Sequence, residues 1–338
     1  MIRLEPHSPG AVFLQLVSQI EARLRKAKRA RSFRDPEIAN GLRGDLFKLE
    51  GWAKLHRSWP VKSERKIFET LRDQTKELED LFGAIDAAKE ISADLVKRGE
   101  RKLSLMFDDQ AEALHHKLKK ILKSKKWFVA KGKISRTERI RAKLVKIKWP
   151  SMTVQSDYLL QSLFQELSSF SARYREDLKP KLLRDVYDRD ILENDLHKLR
   201  RELRWFSMYF QTADGLIGLA PAPSRLTKSK QTLVRDYRKN PFAVLPSKTY
   251  AKAFIDPVAF YELTRLIEIL GYAKDRAEKY FRLRDALIAQ GCTQDDAIAR
   301  AEGLYGDVPH TTPRDAHLIL SEFEKMKPHV LLAESLFE

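Results

Sequence analysis

The chain has one cysteine and few residues that interrupt helices. Cys292 has no partner in the 338-residue sequence, which excludes an intrachain disulfide and a thiolate-rich metal site. There are only 13 Gly and 14 Pro, whereas 43% of the residues are hydrophobic, a composition typical of folded proteins. No run approaches the roughly 18 apolar residues that a membrane span needs. The lone thiol and a start without a signal-peptide pattern favour a soluble cytoplasmic protein.

Acidic residues are scarce relative to basic ones. The chain has 64 Lys and Arg against 47 Asp and Glu, so its net charge is +17 and its pI is near 9.7. Most of this excess lies in residues 115–149, which hold 14 bases and a single acid, Glu138. That segment carries +13, which leaves +4 for the rest of the chain. Such a bias points to an acidic partner, either nucleic acid, an anionic membrane or another polyanion.

Apolar residues recur at helical spacing along most of the chain, so the sequence predicts an all-α fold. Asp35 and Pro36 have the residue types of an N-cap and a first helical turn. No alternating strand pattern is present, and the Pro-, Ser- and Thr-rich residues 213–250 are predicted to form a long loop. The predicted helices are 10–31, a helix from Asp35 that stops near Trp59 and Pro60, 63–99 as one long helix or a pair, 102–127, 153–178, 180–212, 256–290, 293–304 and 313–337. A basic amphipathic segment that ends at Trp149 and Pro150 follows residues 102–127.

The basic segment contains two cationic stripes beside apolar faces. Leu118, Ile121 and Leu122 lie opposite the first stripe, and Ile140, Leu144 and Ile147 lie beside the second, which predicts that both helices pack into the body. A solvated charged face is the alternative, but solubility alone needs no such excess of one sign. The first stripe is Lys119, Lys120, Lys123 and Lys126, and the second is Arg136, Arg139, Lys143 and Lys146.

A third cationic cluster is predicted on helix 180–212. The helical period places four side chains within roughly 100° of one another, and Leu199, Leu203, Phe206 and Phe210 fall opposite them. Arginine suits an anion site because its planar fork can bind two phosphate oxygens at once. His197 alone is compatible with an ordinary helix-packing role. The cluster is His197, Arg200, Arg201 and Arg204.

This cluster resembles the second histidine helix of CHAD domains, the conserved histidine α-helical domains that bind inorganic polyphosphate. The pattern stands here as His197, Leu199, Arg200, Leu203 and Arg204. The family's first copy is matched by residues 35–43, which end in Leu42 and Arg43 but have Asn40 in place of the histidine. The family's Leu-Gly-x-x-Arg-Asp turn is matched by Leu270 to Asp275, and less well by Leu81 to Asp86, where Phe82 stands in the glycine position.

The resemblance implies two pseudo-symmetric helical bundles around a basic central channel. It further implies half-repeats of about 8–150 and 151–338 within one domain, and non-catalytic binding of inorganic polyphosphate. No catalytic residue, metal or cofactor is expected, and no oligomeric state is indicated. The predicted helix that begins at Asp35, which matches the family's first copy, adds Arg43, Lys54 and Arg57 on one face, with Glu50 among them. The predicted polyanion set is therefore these three residues with the two stripes and the His197 cluster.

Two other functions fit parts of the sequence. A nucleic-acid-binding protein could stack bases on Trp127, Phe128 and Trp149, which border the stripes, but the interpretation that these aromatics anchor the helices in the core is favoured. An enzyme acting on phosphoanhydrides would have a suitable charge field, but the sequence has no evident carboxylate–metal constellation.

Overall fold

The computed structural model of the chain describes residues 5, 7–30, 36–130, 133–213, 215–221, 227–245 and 251–336. Most of these residues are helical, so the predicted all-α class is confirmed. The strands in the described residues are two of three residues each. No helix among the described residues is long and apolar enough to cross a membrane. The predicted N-cap Asp35 lies outside the described residues.

The chain divides into two compact units, Met1–Ser162 and Leu163–Glu338. The boundary falls inside one helix, α6 (Met152–Arg173). That the two units are copies of one half-repeat stays a prediction at this level of description.

The first unit is built from long helices. Gly99, in the left-handed region at φ +81°, lies between two of them, in the conformation that favours glycine after a helix. An aromatic cluster around His56 fills part of the core, with the Phe13, Trp59 and Phe68 rings at centroid distances of 4.9, 5.7 and 5.3 Å. The elements are α1 (Pro9–Ala30), α2 (Pro36–Leu55), a 3₁₀ turn (His56–Ser58), α3 (Lys62–Lys97), α4 (Arg101–Ser124), α5 (Arg136–Val145) and the start of α6 (Met152–Arg173).

The second unit is also mainly helical. Two π-helical segments, Tyr174–Leu178 and Leu192–Leu196, connect α-helical stretches without a break. The elements after α6 are α7 (Lys179–Leu182), α8 (Arg189–Ile191), α9 (His197–Thr212), β1 (Ile217–Leu219), α10 (Lys228–Tyr237), β2 (Ala253–Ile255), α11 (Pro257–Ala289), α12 (Gln294–Tyr305), α13 (Val308–Met326) and α14 (Pro328–Glu334).

The predicted continuous helix 180–212 is wrong, because the chain leaves the helix after α7 and re-enters it at α8. Asp188 caps the new start, its Oδ1 accepting from the Ile191 N–H at 2.8 Å. Pro313, inside α13, has no N–H for the carbonyl of Pro309, and the Tyr187 N–H donates to that carbonyl at 2.9 Å instead. A distant proline therefore stabilises the interruption.

The prediction of one loop over 213–250 is also wrong in its described part. β1 pairs in parallel with β2, Ile217 opposite Ala253 and Leu219 opposite Ile255. Helix α10 begins after Thr227, which caps it. The strands are too short to show an alternating pattern, which explains why the sequence did not reveal them. Residues 222–226 and 246–250 lie outside the described part of the chain.

Candidate functional site

The turn between α4 and α5 brings the two basic stripes together. Helix α4 ends at Ser124, because Lys126 takes the left-handed conformation at φ +61° and the Phe128 N–H donates back to the Leu122 carbonyl at 2.9 Å. The backbone N–H of Arg136 donates to the Lys126 carbonyl at 2.8 Å. The prediction that Lys126 shares a helical face with Lys123 is therefore wrong, since Lys126 lies beyond the end of the helix.

Glu138, the only acid of residues 115–149, caps the first turn of α5. Glu138 and Ser135 form a capping box at the start of α5: the Glu138 N–H donates to the Ser135 hydroxyl at 3.2 Å, and the Glu138 carboxylate accepts from the Ser135 N–H at 2.6 Å. These hydrogen bonds to the backbone and hydroxyl of Ser135 lower the pKa of Glu138. Glu138 therefore serves the helix start, and it makes no ion pair with the described lysines around it.

Cavities open beside this turn. One of them is lined by Lys28 and Lys133 but also by the acids Glu21 and Glu138. Two others have no acid in their lining. The first of these two, of about 500 Å³, is lined by Lys123, Lys126, Lys133 and Arg139 together with apolar residues. The second, of about 170 Å³, lies between α3 and α5 and is lined by Arg136, Arg139 and Lys143 together with Ile140 and α3 residues. Arg139 lines both cavities, so their cationic linings are continuous. We call the six bases Lys123, Lys126, Lys133, Arg136, Arg139 and Lys143 the basic track.

Few bases of residues 115–149 are neutralised by carboxylates. Lys125 pairs with Glu77 at 3.1 Å and Arg141 with Glu21 at 2.7 Å. Burial and the neighbouring charge of Arg139 together lower the pKa of Arg136. Within the described residues no ion pair is made by Lys119, Lys120, Lys123, Lys126, Lys133, Arg139, Lys143 or Lys146. Crowded cations without carboxylate partners repel one another, which an anion would relieve.

The structure brings together only part of the predicted set. Lys119, Lys120 and Lys146 are exposed but line neither cavity. Lys133 lines the first cavity although it belongs to neither predicted stripe, and its place in a long basic run was the only signal for it. Lys131 lies outside the described residues.

In the second unit, His197 begins α9 directly after the π-helical segment Leu192–Leu196, a local geometry that is frequent at functional sites. Burial, together with the charge of Lys274, lowers the pKa of His197 to about 4. The imidazole is therefore neutral at pH 7. The cluster on α9 consequently carries three positive charges at neutral pH, not four.

The three arginines of α9 are half-buried, and each one has a defined contact. Arg200 donates from Nε to the Ile267 carbonyl at 3.3 Å. The guanidinium carbon of Arg201 lies 5.8 Å from the Trp205 ring centroid, and that of Arg204 lies 5.6 Å from the Phe242 ring centroid. Such contacts order the guanidinium groups along one helix.

A glycine on a neighbouring helix makes room for an arginine in both units. Arg200 packs against Gly271 of α11 so closely that a Cβ there would lie 3.0 Å from its Nε. In the first unit, Arg43 of α2 packs in the same way against Gly83 of α3, with Nη2 2.9 Å from a Cβ at that position. The family resemblance aligned Phe82 with the glycine position of Gly271. In the structure, the residue that makes room for the arginine in this way is Gly83, one position further along.

An ion pair two residues further along also recurs. Asp45 of α2 pairs with Arg23 of α1 at 2.6 Å, and Glu202 of α9 pairs with Arg173 of α6 at 2.9 Å. Asp45 follows Arg43 by two residues, and Glu202 follows Arg200 by two. Each unit thus contains one three-helix arrangement of arginine, glycine and ion pair.

The two arginines differ in their charge environment. Arg43 pairs with Glu79 at 3.1 Å and with Asp86 at 2.9 Å. Burial opposes the charge of Arg43, but these two carboxylates outweigh it and raise its pKa. The positions that correspond to Glu79 and Asp86, counted from the glycine, hold Ile267 and Lys274 in the second unit. The Arg43 site is therefore neutralised internally.

The predicted cationic face of α2 extends past the end of that helix. Arg43 and Lys54 lie in α2, which ends at Leu55, and Arg57 lies in the 3₁₀ turn that follows. That the three side chains share one face stays a prediction. The tryptophans next to the stripes belong to the core. Trp127 is only 4% exposed, and Trp149 packs 5.9 Å from Phe13 while its indole N–H donates to Leu144.

Within the described residues, no group of three or more His, Cys, Asp or Glu side chains is arranged to hold a metal ion. Comparison with known protein families, curated proteins and solved structures gives no match to this chain.

Proposed function

We propose that this protein binds inorganic polyphosphate, or a similar linear phosphate polyanion, without catalysing a reaction on it. The observation that carries the proposal is the basic track, which lines two cavities that have no acid in their lining. Lysine and arginine neutralise closely spaced phosphates and release the counterions condensed on them. Lysine suits a flexible, sequence-free phosphate chain, because a point charge needs no fixed orientation.

The α9 arginines form a second phosphate-binding row in this proposal. Arg200, Arg201 and Arg204 are ordered on one helix, and neutral His197 can donate or accept one hydrogen bond. Arg43 is assigned a structural role, because Glu79 and Asp86 already neutralise it.

The recurring arrangement of arginine, glycine and ion pair supports a relationship to CHAD domains and a duplicated origin of the two units. Two pseudo-symmetric bundles with a basic central channel belong to the same proposal. The difference at Arg43 makes the first unit the more divergent copy, which agrees with Asn40 standing in its histidine position.

Charge reversal at the basic track tests the proposal. The variant carries Lys123→Glu, Lys126→Glu and Arg139→Glu, and the matched control carries Lys97→Glu, Lys102→Glu and Lys117→Glu at exposed positions that line neither cavity. Both variants lose the same net charge, so only a local site distinguishes them. We expect the track variant to lose binding of long-chain polyphosphate at physiological salt and the control to keep most of it. Equal losses would refute the assigned site.

Nucleic acid is the second candidate ligand, and the core positions of Trp127 and Trp149 weigh against base stacking on them. Phe128 is half-buried and lines the first cavity. Competition separates the two ligands. Polyphosphate should displace bound RNA at well below an equal concentration of phosphate, whereas the reverse order would favour nucleic acid.

A further inference from the structure

The cavity between α3 and α5 combines an apolar, a polar and a cationic lining. Its floor is apolar, formed by Ile67 and Leu71 of α3 and Ile140 of α5, and Thr70 and Gln74 are its uncharged polar groups. An inorganic phosphate chain gains nothing from such a floor, since it has no apolar surface to bury.

The rim of this cavity is cationic. Arg139 and Lys143 make no ion pair within the described chain, and Arg136 is exposed both to the like charge of Arg139 and to the opposite charge of Glu77. A ligand that suits both floor and rim therefore combines a compact apolar body with phosphate groups.

Gln74 indicates which kind of apolar group the ligand carries. Its side-chain amide is half-buried on α3 and makes no hydrogen bond to the described residues. An amide presents a donor and an acceptor side by side, which matches the edge of a nucleobase. An acyl chain would leave that amide without a hydrogen-bonding partner.

We propose that the α3–α5 cavity binds the nucleoside of a nucleoside polyphosphate, with its base over Ile67 and Leu71 and beside Gln74. The phosphates extend past Arg139, which lines both cavities, toward Lys123 and Lys126. This inference rests on the proposed function, because the phosphates occupy the same basic track. It adds a site for the end group of the chain.

Calorimetric titration of the full chain with ATP and with inorganic tripolyphosphate, both without magnesium, tests the inference. The two ligands have the same number of phosphates, and tripolyphosphate carries the greater charge, so electrostatics alone would favour tripolyphosphate. We expect ATP to bind at least about tenfold more tightly, because the base buries apolar surface.

Two substitutions locate the effect. Ile67→Ser and Gln74→Ala change half-buried positions of α3, and each should weaken ATP binding while leaving tripolyphosphate binding unchanged. Lys126→Gly should weaken both ligands and serves as the control for the shared phosphate track. Circular dichroism of each variant checks that the fold is retained.

The outcomes separate this inference from the proposed function. Equal binding of ATP and tripolyphosphate would overturn the nucleoside site and leave polyanion binding intact, whereas no binding of either would overturn both. ATP binding that is insensitive to Ile67→Ser and Gln74→Ala would overturn the location. Binding of a short-chain phosphatidic acid that depends on Ile67, without binding of ATP, would replace the nucleotide by a lipid phosphate.

Discussion

Replacing Lys126 by glycine should make the protein more stable and a weaker polyanion binder. Lys126 has φ +61°, a left-handed conformation that costs a residue with a Cβ roughly 1 kcal/mol and costs glycine little. The hydrogen bond from Arg136 to its carbonyl uses backbone atoms and survives the substitution. We therefore expect Lys126→Gly to raise the free energy of unfolding by about 1 kcal/mol, a melting-temperature increase of about 2 °C.

Binding should change in the opposite direction. Lys126 is one of the six bases of the track, and a linear polyanion releases about 0.7 counterion per phosphate neutralised. A plot of log binding constant against log salt concentration should have a slope of about −4 for the parent, if all six bases contribute, and a slope shallower by about 0.7 for the variant.

Lys327→Gly is the matched control for this experiment. Lys327 ends α13 in the left-handed region at φ +43° and lines neither cavity. It should gain similar stability without loss of binding. Thermal unfolding and fluorescence-detected polyphosphate titrations at four salt concentrations measure both quantities. An unchanged salt slope in Lys126→Gly would refute the role of Lys126, and equal binding losses in both variants would show that the effect is not local.

Three further predictions concern stability. Burial lowers the pKa of His56 to about 4, whereas the pKa of a histidine in an unfolded chain is near 6.5. As the pH falls, the unfolded chain therefore takes up a proton at His56 before the folded chain does. This difference should lower the free energy of unfolding by about 2 kcal/mol between pH 8 and pH 5. The pKa values of His197 and His329 are also about 4, so the three histidines should contribute similar amounts to the loss of stability at low pH. His56→Gln should therefore abolish about a third of the change in urea midpoint between pH 8 and pH 5. An unchanged pH dependence would contradict this role of His56. Gly10→Ala should destabilise the protein by about 1–3 kcal/mol, because a Cβ at this position would lie 2.7 Å from the Trp149 ring. Gly44 has open space around it, so Gly44→Ala should stabilise the protein by up to about 1 kcal/mol. Equal urea midpoints of the two variants would contradict this packing. Glu79→Gln should lower the free energy of unfolding by about 2 kcal/mol, because it removes the charge of a buried partner of Arg43. Asp80 forms an exposed ion pair with Lys76, so Asp80→Asn should lower it by less than about 0.5 kcal/mol. Equal losses in urea unfolding would mean that Arg43 does not depend on Glu79.

Helix positions were largely predictable from the sequence, because burial of one face leaves a period that is visible without a structure. Helix α3 extends from Lys62 to Lys97 close to the predicted 63–99, and α11 from Pro257 to Ala289 close to the predicted 256–290. The interruption between α7 and α8 was not predictable, because it depends on the carbonyl of Pro309, more than a hundred residues away.

The candidate site was predictable in composition but not in geometry. The excess of bases identified Lys123 and Arg139, yet only a tertiary structure shows that these residues, on either side of the turn at Lys126, line the same cavity. The carboxylates on Arg43 were hidden for the same reason, since Glu79 and Asp86 lie on another helix. Gln74 carried no sequence signal at all.

The proposed function requires that the bases of the turn between α4 and α5 form a phosphate site. This claim can be tested with an anomalous difference map from crystals soaked in tungstate, a heavy-atom oxyanion that mimics phosphate. We predict a strong peak within contact distance of Lys123, Lys126 and Arg139, and its displacement by tripolyphosphate. Peaks confined to other surfaces, with this cavity empty at saturating tungstate, would contradict the claim.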